Sequence, residues 1–304
     1  MQRTANPCTP VRFRPQPPFR NMKISIIGFG FVGKALFNAL DKTVTVFKVD
    51  PKLGTSVSDL KTFDPDCTFL CLPTPMHDDG SQDISIVMET LLKIKEINIT
   101  SLIVIKSTIH PGNIRKIKKI FPDFVYNPEF LREKYADYDF INSKLIVFGG
   151  NKSSRDKLGE IYEKYTCCST KDYIHTDPEA ASLVKYAINS FLATKVIFFN
   201  EFKNLLLSSD SKEKWENFIK IISKDIRIGS SHMDVPGHDA REGFGGACLP
   251  KDSTAIVAYA DSMDLDMTLI KTVIKTNNQI RASYNTKTDR EKEQNIVYKD
   301  KEEQ

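Results

Sequence analysis

A chain of 304 residues with 40% hydrophobic and 27% charged content can build a sizeable core, about two domains on length, and is neither fibrous nor collagen-like. Removing the four arginines of an acid-free start (Arg3, Arg12, Arg14 and Arg20, within residues 1–21) from 43 basic residues leaves 39 against 39 acidic ones. A neutral body lacks the clustered positive surface that nucleic acid requires, and no apolar run approaches the ~20 residues of a bilayer span, so both partners are set aside. The six cysteines show no CxxC pairing and follow no secretory signal, which points to reduced thiols in a cytoplasmic protein without a metal site.

Residues 1–21 hold five prolines and no periodic apolar pattern, so they are expected to be disordered, with Met22 as the preferred true start. From Met22 to about residue 172, short β-rich runs alternate with helical ones, the pattern of a doubly wound parallel sheet. KISIIG and VTVFKV read as the first two strands with FVGKALFNAL as the helix between them; CTFLCL, SLIVIK, DFVYN and KLIVFGG read as later strands. Strand signals stop at about 172, and an all-helical unit is expected over 173–283. Its longest helix starts behind Asp177 as N-cap, with Pro178 in the first helical position, and runs to about Leu207. Others are expected near Asp252 and over about 266–283. Residues 284–304 are polar and of mixed charge, the composition of a solvated helix extension or tail and not of a binding element.

GFGFVG sets Gly28, Gly30 and Gly33 at the GxGxxG spacing between a strand and a helix. The first glycine permits the tight turn, the second lets a pyrophosphate approach the backbone, and the third allows close helix–strand packing; Phe31 and Val32 supply amides at the helix start. Asp50, at the end of the second strand, is placed to accept hydrogen bonds from a ribose diol, and its charge favours NAD over NADP.

Several later segments resemble one family, the UDP-glucose/GDP-mannose dehydrogenases. CLPTP (71–75), KSTIHPG (106–112), NPEFLRE (127–133), LVKYAINSFLATKVIFFNE (183–201), DIRIG (225–229) and GFGGACLPKD (243–252) occur in that order, and the resemblance covers nearly all of 22–281. It implies oxidation of the C6 alcohol of a nucleotide sugar to a carboxylate with two NAD per turnover. By the same resemblance Cys248 is the nucleophile, passing through a thiohemiacetal and a thioester. Cys248 also stands just before a predicted helix, whose N-terminus lowers a thiol pKa; the bland alternative for a lone cysteine is a small buried hydrophobe. Lys185 and Asn189, one helical turn apart, are implied to hold the oxyanion or a water, Asp252 to accept the alcohol proton through water, and Glu133 with Thr108 to activate and orient the hydrolytic water. Glu129, Phe130, Leu131, Arg132, Glu133, Lys185, Asn189 and Gly245 are implied to line the sugar site, and Thr74, Thr108 and Lys251 to lie near the cofactor. Arg227 matches an arginine that reaches the neighbouring subunit's sugar, which implies a homodimer formed through the helical unit. Cys67, Cys71, Cys167 and Cys168 are read as structural, and the five histidines, His110 included, receive no role.

Members of that family usually carry a third α/β domain that supplies much of the nucleotide contact, and this chain ends at about the point where it would begin. The expectations are then a compact enzyme of its own type, one that recruits a nucleotide-binding subunit, or a non-catalytic NAD- or nucleotide-sugar-binding protein. UDP-glucose is favoured over GDP-mannose because GFGG and DIRIG look closer to that branch.

Overall fold

A computed structural model describes residues 21–298. The expected disorder of the start and the reading of Met22 as first residue concern a segment that, apart from Asn21, lies outside the described residues, as does 299–304.

The first unit opens with β1 (Lys23–Ile27), α1 (Phe31–Ala39), β2 (Thr45–Val49), the short α2 (Leu60–Phe63) and β3 (Cys67–Leu70). It continues through α3 (Ser85–Ile97), β4 (Leu102–Ile105), α4 (Pro111–Ile120), β5 (Val125–Tyr126), α5 (Ala136–Ile141), β6 (Ile146–Gly149), α6 (Lys152–Tyr165) and β7 (Tyr173–Thr176). The strands form one sheet in the order β2-β1-β3-β4-β5-β6-β7. Two-residue periodicity sends alternate side chains to opposite faces. Ile24, Ile26 and Phe69 pack with Leu36 of α1 and Tyr162 of α6, while Ile27, Leu70, Ile103 and Ile105 pack with Leu91 of α3 and Ile114 and Ile117 of α4. Burial on both faces explains why these strands read as continuous apolar runs.

The structure corrects the sequence reading in three places. The sheet is not wholly parallel, because β5 and β6 pair antiparallel through Tyr126 and Gly149. Strand structure continues past 172, since β7 pairs in parallel with β6 from Tyr173 to Thr176. As an edge strand with half-exposed Tyr173 and exposed Ile174 and His175, it carries only a weak apolar signal. The third correction concerns residues 284–298, which do not form a solvated tail. Here α11 (Asp289–Glu293), behind a Thr288/Glu291 capping box, folds back so that Glu291 and Ile296 are fully buried. Asn295 Nδ2 then donates to Met76 O at 3.0 Å.

The helical unit consists of α7 (Pro178–Ser208), α8 (Trp215–Ile222), α9 (Leu249–Asp261) and α10 (Thr268–Ala282). Asp177 caps α7 by accepting from Ala180 N at 2.8 Å, a cap worth about 1 kcal/mol. By length and composition α7 is apolar enough to cross a membrane. Its inner face, however, buries Lys185, Asn189, Lys195 and Asn200, and it packs against α4, α9 and α10, as the central helix of a folded unit does.

The chain reverses its build order between β1 and β3, and a cleft opens there at the carboxyl ends of the strands, the usual place for a ligand in such a sheet. Gly28 sits at φ +89°, where a Cβ would lie 2.5 Å from Cys71 O, and a Cβ on Gly33 would lie 2.2 Å from Gly28 O. These two positions admit no side chain without moving backbone, so they fix how closely β1, β3 and α1 approach.

Candidate active site

The cleft at the switch point has a volume of about 740 Å³. Ten of the residues singled out from sequence line it: Gly28, Gly30, Phe31, Val32, Asp50, Thr74, Thr108, Glu129, Cys248 and Lys251. At one end, Gly30 caps α1 without a side-chain acceptor, leaving the first-turn amides for an anion, and a Cβ on Gly30 would meet nothing within 4 Å. Asp50 Oδ2 accepts from Phe29 N at 2.8 Å and Oδ1 from Lys52 N at 2.9 Å. Each carboxylate oxygen keeps a lone pair for a diol, so this end fits the phosphates and ribose of a dinucleotide.

At the other end the chain brings four buried charges against one thiol. Cys248 is the N-cap residue of α9, and Lys251 and Asp252 stand in that helix's first turn. From α7, Lys185 Nζ donates to Glu129 Oε1 at 3.0 Å, and both side chains are buried. Asn189 Nδ2 donates to Asp252 Oδ2 and Lys251 Nζ to Asp252 Oδ1, each at 2.6 Å, with Asp252 1% exposed. Burial alone lowers the Lys185 pKa, but the charges of Glu129, Cys248 and Asp252 and the hydrogen bond to Glu129 outweigh it, so the net shift is upward. The ammonium therefore stays charged beside the sulfur.

Cys248 departs from the expectation of a thiol acidified by a helix N-terminus. Burial, reinforced by the negative charges of Glu129 and Asp252, pushes it up to about 11 against the opposing pull of Lys185 and Lys251. The helix-end field is outweighed because the sulfur lies inside, next to a carboxylate. Cys71, read as structural, also lines the cleft, its thiol raised to about 12 by burial.

Residues 52–166 match the NAD binding domain of the UDP-glucose/GDP-mannose dehydrogenase family, and residues 179–279 match its central domain. The chain belongs to that family. The Gly28–Asp50 end of the dinucleotide cleft precedes the first matched stretch, so its assignment rests on the geometry above. The chain is 38% identical over 224 residues to the UDP-glucose 6-dehydrogenase of Rickettsia bellii, an alignment covering 70% of this chain and 49% of that one. It is 33% identical over 256 residues to the UDP-glucose 6-dehydrogenase TuaD of Bacillus subtilis, covering 80% and 51%. Among solved structures, a UDP-glucose dehydrogenase from Pyrobaculum islandicum superimposes with a TM-score of 0.68 at 26% identity, covering 87% of this chain and 70% of that one. The chain thus spans about half the length of the curated relatives it matches.

Lys185, Asn189 and Asp252 are buried outside the cleft's lining, and other expected site residues stand elsewhere. Glu133 does not line the cleft: it is half-exposed and pairs with Arg290 of α11 at 3.0 Å, and Glu129 is the carboxylate that faces Cys248. Phe130 packs under the Lys185 ammonium, 5.6 Å from its ring centre, and Leu131 joins the core on the α1 face, its amide donating to Glu129 Oε2 at 2.6 Å. Arg132 turns outward to Asp139 at 2.7 Å. Gly245 lies against the guanidinium of buried Arg281, where a Cβ would come within 2.6 Å of Nη1. Arg227 is exposed and pairs with Asp225 at 2.5 Å.

Two features were missed from sequence. Arg290, Glu293 and Gln294, in and just after α11, line the cleft; the Thr288-x-x-Glu291 spacing was the signal that a helix starts there. The second is Gln82, which carries no sequence signal.

Proposed function

We propose that the chain is an NAD-dependent nucleotide-sugar 6-dehydrogenase that oxidises UDP-glucose to UDP-glucuronate through Cys248. The observation that carries this reading is that Cys248, Glu129 and Lys251 line one end of a dinucleotide cleft, with buried Lys185 bonded to Glu129 and buried Asn189 and Lys251 bonded to Asp252. NAD held at Gly28, Gly30 and Asp50 would supply the acceptor for the hydride that C6 loses in each of two rounds. In the first, the C6 hydroxyl proton passes through water to Asp252, leaving an aldehyde. Cys248 sulfur then bonds to C6 while the thiol proton ends on O6, and the Lys185 ammonium hydrogen-bonds that oxygen as its charge grows. Loss of the second hydride from C6, and of the O6 proton through water to solvent, leaves a thioester. Water adds hydroxide to C6 and returns a proton to sulfur, releasing the carboxylate and restoring the thiol. Thr108, which lines the cleft, orients that water. In the resting arrangement Glu129 holds Lys185; sugar hydroxyls that take over Glu129 release the ammonium towards O6.

The test is stoichiometry. Purified protein given excess NAD and a limiting amount of UDP-glucose should form two NADH per sugar, with GDP-mannose giving little. One NADH per sugar would contradict the four-electron reaction. No NADH from any nucleotide sugar would favour a non-catalytic binding protein or one that needs a partner chain.

The same reading makes the chain a homodimer. Phe191, Phe198, Phe202 and Leu205, spaced seven, four and three residues apart on α7, form one exposed apolar stripe. Arg227 is 84% exposed, and it reaches a second copy on giving up its pair with Asp225. Sedimentation velocity should show a dimer for the wild type and a monomer for Phe198→Glu; a monomeric wild type would rule the assembly out.

A further inference from the structure

Gln82 lies between β3 and α3, 6% exposed, where it pairs with Met76 across a short hairpin. Its amide uses all four of its hydrogen-bonding positions. Nε2 donates to Thr108 O at 2.8 Å and to Tyr186 Oη at 3.0 Å; Oε1 accepts from His110 N and from Asn113 Nδ2, both at 3.2 Å. The orientation of the amide is fixed by chemistry, since Thr108 O can only accept and His110 N–H can only donate.

These partners belong to separate elements. Thr108 and His110 sit in the loop after β4, Asn113 in α4, and Tyr186 in α7 next to Lys185. Thr108 O also accepts from Thr74 Oγ1 at 2.9 Å and Ile109 N donates to Tyr126 Oη at 3.0 Å, so three hydrogen bonds, one of them from Gln82, set the rotation of the Thr108–Ile109 peptide. Tyr186 is a fixed anchor: it is 1% exposed, and burial raises its pKa well above the ordinary value, so it stays neutral. Gln82 therefore ties the Thr108 carbonyl to the helix bearing Lys185 and Asn189, while Ser182 of that helix ties the next carbonyl, donating to Ile109 O at 2.6 Å.

We propose that Gln82 is a positioning residue for the oxidation, holding the Thr108 loop at a set distance from the reactive face of α7. The proposal rests on the activity read above. Gln82 touches none of the reacting atoms and acts through Thr108, where a displacement of about 1 Å costs on the order of 10- to 100-fold in rate.

Gln82→Met keeps the length and removes all four bonds, whereas Gln82→Glu keeps the acceptor and sets an oxygen against the Thr108 carbonyl. Both should lower kcat roughly 10- to 100-fold with KM for either substrate within about threefold. In a Thr108→Ala background, Gln82→Met should cost less than about twofold more, because the two residues act as one unit. Hydrogen exchange at the His110 amide should quicken in Gln82→Met. Turnover by the wild type with unchanged kcat in Gln82→Met, or with an equal cost in both backgrounds, overturns this proposal alone. A wild type with no turnover overturns the activity reading and the proposal together.

Discussion

Cys248→Ala is expected to stop carboxylate formation while leaving cofactor binding near its original strength. The thiol is the only side chain in the mechanism that becomes covalently attached to C6, so its loss removes a bond-forming step and not a binding contact. The fall in carboxylate production should be on the order of 10³-fold or more, as when a covalent nucleophile is removed from an enzyme of the acyl-transfer type. The first hydride transfer does not use sulfur, so up to one NADH per bound sugar remains possible, with an aldehyde as the product. Cofactor binding should persist because Gly28, Gly30 and Asp50 lie at the other end of the cleft, anchored by β1, α1 and β2. Product chromatography with NADH absorbance checks both halves. A variant that makes the carboxylate at the wild-type rate would remove Cys248 from the chemistry.

Glu129→Gln is expected to make Cys248 more reactive towards iodoacetamide. After burial, the Glu129 charge is the largest influence holding the thiol near 11, and Lys185 is the largest one pulling it down. Removing the carboxylate deletes the first and frees the second from its 3.0 Å partner, so both changes lower the thiol pKa. The midpoint of the labelling rate against pH should move down by about one unit, which at a pH below both midpoints means roughly tenfold more thiolate. Lys185→Met should shift the midpoint up. The label must be located by peptide mass, because Cys167 is exposed and reacts as well. Glu129→Gln also strands a buried ammonium, at a cost of roughly 3–5 kcal/mol, so its urea midpoint should fall. Unchanged labelling midpoints in both folded variants would contradict this electrostatic account.

Much of the frame was legible in the sequence because it depends on local rules. Glycine at 28 and 33 is demanded by backbone oxygens lying 2.5 and 2.2 Å from where a Cβ would stand, and the Asp177–Pro178 start of α7 is a capping rule written in adjacent residues. Long-range partners were not legible. Nothing near Glu129 announces that it will pair with Lys185, 56 residues away, or that together with burial it will keep Cys248 protonated where a helix end would acidify it. The antiparallel β5–β6 pair was hidden because a two-residue strand of Val125 and Tyr126 reads the same in either direction. Residues 284–298 misled through composition: their charges pair within the fold, Glu291 with Gly246 N at 3.2 Å and Arg290 with Glu133, which leaves Ile296 buried. Glu133 was expected at the sugar site, as base for the hydrolytic water, for its place in a motif, and the partner that holds it outside the cleft comes from the part of the chain that looked least structured.

The central claim, that Cys248 carries the substrate carbon between the two oxidations, is tested most directly by acid-quenching the protein during turnover with NAD and UDP-glucose and measuring the mass of the Cys248 peptide. The account predicts an acyl adduct of the nucleotide sugar on that peptide, formed only with NAD present and absent from every other cysteine. Carboxylate accumulating in the same mixture with no adduct on Cys248 at any quench time would contradict it.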